Sequence, residues 1–390
     1  MFLYFLHVII LLNRQIQGKI FTVPLTKMTN AYYLHCSIGE PFQRIYFSID
    51  LENEYSFTNA FIYHKGKSEH YSFHSAKEIS LEKLKIAVEE VSDLFELYKQ
   101  DISIKNFHFF ILPLNYQTYH SHLSFSYKNN DSNLNYIYQL YKNGHLDSYN
   151  FAISITKNEK EAKLLMGGIP SNIISNKYKS TCDVNGEYSS WGCTLNSVIY
   201  FNKTYTFDDY AMFSIEKEDI FSSYKFIEFL HAVVFKNYMF NSLCKYETND
   251  SLYYYFYCGC KYVKTFTDMK IVIGGNVFLF EGNKLFNRIM NHCFFKIKSY
   301  KDPEMNKHWI IGSSFIQNIV TQFDYDNHQV AFYTDYKLDY IAQNRNKPIS
   351  KLYIIRFIYI ICGCNIVGLV IAYFHNKKKN CITTLCLEEK

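Results

Sequence analysis

What the chain lacks narrows its class before any motif is read. No stripe of lysine or arginine runs through its interior, and 41 basic against 36 acidic residues leave a net charge of only +5. That balance argues against a nucleic-acid partner. Charge is scarce altogether, at 20% of residues against 48% hydrophobic, which excludes an intrinsically disordered chain. Metal-ligating groups do not gather in the sequence either. His120-Ser-His122 opens like half of a metal site, but no neighbouring Cys, Asp or Glu completes it, so it reads as a polar loop. No metal or cofactor is expected. Aromatics are plentiful instead, with 36 Tyr and 34 Phe, a bias of composition rather than a stacking surface.

At 390 residues the chain is long enough for two lobes, each with its own core. Its ends are apolar. Residues 1–18 open with MFLYFLHVIILLN and turn polar before Gly18, which reads as a signal peptide although a positive start is missing. Residues 352–374 form a second apolar stretch, interrupted by Arg356 and Asn365, and about 20 residues suffice to cross a bilayer. Lys377, Lys378 and Lys379 follow it, so residues 375–390 are expected to be a cytoplasmic tail. The expected topology is a single-pass type I protein of the secretory pathway or cell surface, bound to the membrane by this helix, with a lumenal or extracellular ectodomain.

Cysteines divide along the same lines. Seven lie in the ectodomain (Cys36, Cys182, Cys193, Cys244, Cys258, Cys260 and Cys293), so at least one lacks a partner within the chain. Cys258-Gly-Cys260 is too tight for a zinc ribbon, and disulfide formation in an oxidising lumen is expected. Asn130, Asn202 and Asn249 begin glycosylation sequons. Between the ends, short alternating apolar runs recur: YYLHCSI, RIYFSI, KNFHFFIL, NFAISI, KLLMGGI, SVIYF, KIVIGG and QVAFY. Two stretches have helical spacing. One places Leu134, Ile137, Tyr138 and Tyr141 on a face, the other Phe226, Phe229, Leu230 and Val233. A mainly β body in two halves follows.

The order of segments resembles the pepsin-like aspartic protease family, plasmepsin-like members included. Ile38-Gly39-Glu40-Pro41-Phe42-Gln43 is similar to that family's opening turn, and the strand after it ends on Asp50. FAISITKNEKEAKLLMGGIP, WGCTLNSVIYFN and HWIIGSSFIQNIVTQFDYDNHQVAFY resemble, in order, the inter-lobe strands, the strand before the second catalytic loop and the closing strands. The resemblance runs over residues 22–336 and implies a bilobal acid-protease fold of two β-barrel-like lobes around a cleft. We place the N-lobe at 19–169 and the C-lobe at 170–344. It also implies a Cys260–Cys293 disulfide. Of the other five ectodomain cysteines, Cys182–Cys193 and Cys244–Cys258 are the expected pairs, leaving Cys36 free.

The chemistry of that family needs two carboxylates about 3 Å apart sharing one proton. Each stands in an Asp-Thr/Ser-Gly loop. Here the first loop reads Asp50-Leu51-Glu52, a remnant first aspartate. In the second, Ser214 stands where the other Asp belongs, followed by Ile215 and Glu216. Glu216, two residues along an extended strand, is expected to lie about 6–7 Å from the required place. Asp208, Asp209 and Asp219 are other nearby carboxylates. The flap turn, counted from Gln100-Asp101, falls on Glu89-Glu90-Val91-Ser92, without the family's Tyr or Gly. No room for a propeptide remains between Gly18 and Phe21. The expectation is a catalytically inactive homologue that binds a peptide or protein in its cleft. The alternative is an aspartic-type endopeptidase using Asp50 with a displaced carboxylate.

Overall fold

Runs of alternating apolar residues become strands across nearly the whole length of the computed structural model. It describes residues 19–341 except 29–30, 82–83, 115–120, 128–131, 157–160, 186–189, 251, 304–307 and 318. The leader at 1–18, the apolar span at 352–374, the tail at 375–390, and Asn130 lie outside the described residues. Among the described residues no helix is long and apolar enough to cross a membrane.

In chain order the first strands are β1 (Phe21–Met28), β2 (Ala31–Ile38), β3 (Gln43–Asp50), β4 (Phe57–Asn59), β5 (Ser72–Leu81) and β6 (Leu84–Leu97). Then come β7 (Ser103–Leu112), β8 (Ser121–Ser124), β9 (Asn150–Ile155), β10 (Ala162–Met166) and β11 (Tyr178–Asp183). The second half brings β12 (Gly192–Tyr200), β13 (Lys203–Phe213), β14 (Ile220–Phe221), β15 (Cys244–Glu247), β16 (Tyr253–Gly259), β17 (Met269–Ile273) and β18 (Asn276–Phe280). It closes with β19 (Phe286–Ile289), β20 (His292–Phe295), β21 (Ile297–Tyr300), β22 (Trp309–Ile311), β23 (Val320–Asp324), β24 (Gln329–Thr334) and β25 (Asp339–Tyr340).

Two large sheets result. One runs β11-β24-β23-β9-β10-β1-β2-β3-β8-β4-β7-β6-β5; the other runs β19-β20-β16-β21-β14-β22-β13-β12-β17-β18-β25, with β15 on β16. Strands β11, β24 and β23, from beyond the 169/170 division, join the first sheet in that order, β23 pairing with β9. Backbone pairing therefore crosses the expected lobe division at 169/170. Trp191 ties the same region together, its ring N–H donating to the Phe125 carbonyl at 2.6 Å.

The helix expected near 134–144 forms as Tyr136–Lys142, capped by the Asn135 side chain accepting from the Tyr138 N–H. It buries Ile137 and Leu140, while Tyr141 turns outward, one step round from the expected face. The second runs from Tyr224 to Phe229 into a π turn at Leu230–Val234. The wider turn shifts the phase, so Val234 rather than Val233 is buried. The opening turn needs its glycine: Gly39 has φ +80°, and a Cβ there would sit 2.8 Å from the Ser68 hydroxyl. The expected flap turn is corrected. Glu89–Ser92 lie mid-strand in β6, paired with both β5 and β7, and the hairpin turns between Leu81 and Leu84.

Candidate functional site: two carboxylates around a histidine

Strand β3 alternates in burial over its first half and becomes wholly buried from Phe47 to Asp50. There it lies between β2 and β8, so both faces and both edges are covered. β8 runs parallel to it, with Ser48 opposite His122 and Asp50 opposite Ser124. The same arrangement recurs in the second half, where β13 runs parallel to β22 with Met212 opposite Ile310. Phe57 pairs with His122, and Phe221 pairs with Ile310. Phe57 stands seven residues beyond Asp50, and Phe221 seven beyond Ser214. By this internal repeat Ser214 is the counterpart of Asp50, Ile215 of Leu51, Glu216 of Glu52 and Lys217 of Asn53.

Asp50 is 1% exposed and fully engaged. Its Oδ1 accepts the backbone N–H of Glu52 at 2.8 Å and of Asn53 at 2.9 Å; its Oδ2 accepts the Asn53 amide at 2.5 Å. His122 Nδ1 lies 3.4 Å from the same Oδ2 and 2.8 Å from Glu216 Oε1. Ser48 donates to Glu216 Oε1 at 2.6 Å and stands 2.9 Å from His122 Nδ1. One ligating atom each of Asp50, His122 and Glu216 falls within 4.8 Å of the others. The expected displacement of Glu216 is thereby corrected. The chain bends after β13 instead of staying extended, and the longer glutamate side chain reaches back to the centre. Gly312 permits the bend, since a Cβ there would lie 2.2 Å from the Asp219 carbonyl and 2.6 Å from that of Lys217.

The three groups shift one another. Burial pushes the Asp50 carboxyl up, but the hydrogen bond and charge of His122, with the Asn53 donors, outweigh it and hold Asp50 at about 2. Burial would lower His122, yet Glu216 and Asp50 together raise it to about 10. Glu216 is raised, by burial first and by the charge of Asp50 second. The imidazolium thus keeps its proton beside both carboxylates through neutral pH. A second link crosses beside it. Lys217 Nζ bonds both Glu52 oxygens at 3.0 and 3.1 Å, and despite burial its pKa is raised, chiefly by Glu52. Leu51 and Ile215, where the family pattern has hydroxyls, are each 1% exposed within one apolar cluster.

Asp50 and Ser214 therefore sit at equivalent places, but Glu216 and not Ser214 completes the polar centre. The reading of His120-Ser-His122 as a polar loop is also corrected, because His122 lies on β8 at the heart of the site. The polar–apolar alternation of His122-Leu123-Ser124-Phe125 was the available signal. Asp219 pairs with Lys298 at 2.5 Å, and Asp209 lies 3.4 Å from His308. Of the cysteines, Cys182–Cys193, Cys244–Cys258 and Cys260–Cys293 are bonded, and Cys36 is free and buried. Asn202 and Asn249 are exposed.

A family model described as eukaryotic aspartyl protease matches residues 122–334. The crystal structure of an aspartic proteinase from Irpex lacteus is similar in fold, with a TM-score of 0.65 at 13% identity, covering 81% of this chain and 97% of that one. Among curated proteins none matches.

Proposed function

The chain belongs to the eukaryotic aspartyl protease family, and from that premise we propose that it works by binding a peptide or protein rather than by hydrolysing one. The observation that carries this is the position of His122. Peptide hydrolysis by paired carboxylates needs one proton shared between them, so that one acts as base on water and the other as acid. Here an imidazolium stands beside both carboxylates and supplies a proton of its own. With its pKa raised to about 10, it is a poor base and a poor acid at neutral pH. Both Asp50 oxygens also accept hydrogen bonds from donors of its own loop.

In this reading the ectodomain is held at a secretory or cell-surface membrane by the apolar stretch at 352–374, its tail in the cytosol. Three disulfides fit an oxidising lumen, and the exposed Asn202 and Asn249 fit glycan attachment there. The test of the main claim is a diverse peptide library offered to the purified chain between pH 3 and 8. We expect no cleavage.

One observation favours a second reading, an endopeptidase built on Asp50 and Glu216. Two nearby carboxyls, one lowered and one raised, are a pattern that acid–base pairs use. Cleavage that disappears in both Asp50→Asn and Glu216→Gln would replace the binding role with this one.

A further inference from the structure

We propose that Asp50, His122 and Glu216 form a site for one divalent ion of the zinc type, with Ser48 or water as fourth ligand. The proposal goes beyond the binding reading and concerns what the centre itself can hold. Three donors of the kinds that zinc accepts, two carboxylate oxygens and an imidazole nitrogen, converge from three separate segments: the end of β3, β8, and the bend after β13.

Spacing supports it. With zinc–ligand bonds of about 2.0–2.2 Å, tetrahedral ligand atoms stand roughly 3.4 Å apart. His122 Nδ1 and Asp50 Oδ2 are already 3.4 Å apart. His122 Nδ1 and Glu216 Oε1, at 2.8 Å, must open by about 0.6 Å. Glu216 is the arm free to make that move, being 25% exposed against 1% for Asp50. The same partial exposure gives the ion an entry path.

The surrounding contacts are those that hold ligands in place. Glu52 N–H and Asn53 fix Asp50 so that Oδ2 faces His122. The Phe57 ring packs on the imidazole, centroids 4.6 Å apart. Lys217 is bonded to Glu52, which is not one of the three ligands. Two carboxylates offer the ion two negative charges once His122 gives up its Nδ1 proton to solvent.

The experiment uses the purified full-length chain, stripped with EDTA, dialysed against Zn²⁺ and assayed for bound metal. Co²⁺ serves as a spectroscopic substitute. We expect one Zn²⁺ per chain, a proton released on binding, and a visible Co²⁺ band of the tetrahedral type. His122→Ala and Glu216→Gln should each weaken Zn²⁺ by more than about tenfold. Failure to retain a stoichiometric ion in the wild-type chain overturns the site, as does retention that neither variant affects. Peptide cleavage is followed on the same samples. Cleavage by the stripped chain sinks the non-hydrolytic reading, whereas a silent chain that binds no Zn²⁺ sinks only the metal site.

Discussion

Asp50-Leu51-Glu52 and Ser214-Ile215-Glu216 occupy equivalent turns in the two halves of the molecule, and comparing them shows how an acid-protease centre becomes an ion-paired one. At the middle position both turns carry a buried aliphatic residue where the family pattern has a hydroxyl. At the third position both carry glutamate in place of glycine. The two glutamates are used differently. Glu52 turns to Lys217 of the opposite turn, and Glu216 turns to His122 and Ser48 on the opposite strands. Each half thus sends a carboxylate across to a cation of the other. Only the first position differs outright, Asp50 against Ser214, and Glu216 supplies the carboxylate that Ser214 lacks.

The largest expected effect comes from removing the cation that Asp50 and Glu216 share. His122→Ala leaves two facing carboxylates in a buried site and should cost about 3–5 kcal/mol by urea unfolding. The loss should be greater at pH 5, where the stabilisation by the imidazolium is complete, than at pH 8, where part of it is gone. An equal loss at both pH values would mean that folding does not strengthen the hold of His122 on its proton.

The halves also differ in covalent support. Among the described residues the three disulfides all join residues beyond 180, while Cys36 in the first half is free. Replacing both Cys260 and Cys293 by alanine opens a loop with a separation of 33 and should lower stability by about 3–4 kcal/mol on the chain-entropy account. Proteolysis should then cut first in the second half. Initial cuts in the first half would contradict the idea that this staple matters.

A pH profile sharpens the comparison further. His122 is raised from 6.5 to about 10 on folding, so its stabilisation is complete below 6.5 and lost as pH climbs through 10. Glu216, also raised, withdraws stability in the same direction above 4.5. Asp50, lowered to about 2, contributes above 3.8 and loses that contribution as pH falls. Thermal unfolding should therefore show its highest midpoint between about pH 4 and 4.5 and a decline from there toward pH 10. His122→Ala should remove most of the alkaline decline; a decline of unchanged size in that variant assigns it to other groups.

The smallest effect is expected at the second link. Glu52 and Lys217 are each a little over a quarter exposed. A double-mutant cycle with Glu52→Gln and Lys217→Met should return a coupling of about 1 kcal/mol, reduced by salt. A coupling near zero would mean that this pair does not help to hold the two turns together.

Sequence alone determined the strands, the opening turn on Gly39, the place of Asp50 and the family, because alternation, turn chemistry and segment order are local or sequential signals. The resemblance to the family's second loop also put Ser214 where the other Asp belongs. Three matters were decided only by tertiary structure. His122 looked like a loop residue because its ligand-like partners lie 72 and 94 positions away, at Asp50 and Glu216. Glu216 looked misplaced because a strand spacing was assumed where Gly312 lets the chain bend. The flap turn was misplaced because the hairpin is closed by pairing of β5 with β6, which no count from Gln100 reveals. Proximity across sheets depends on which strands pair in parallel, and that pairing is set by the packing of the whole core.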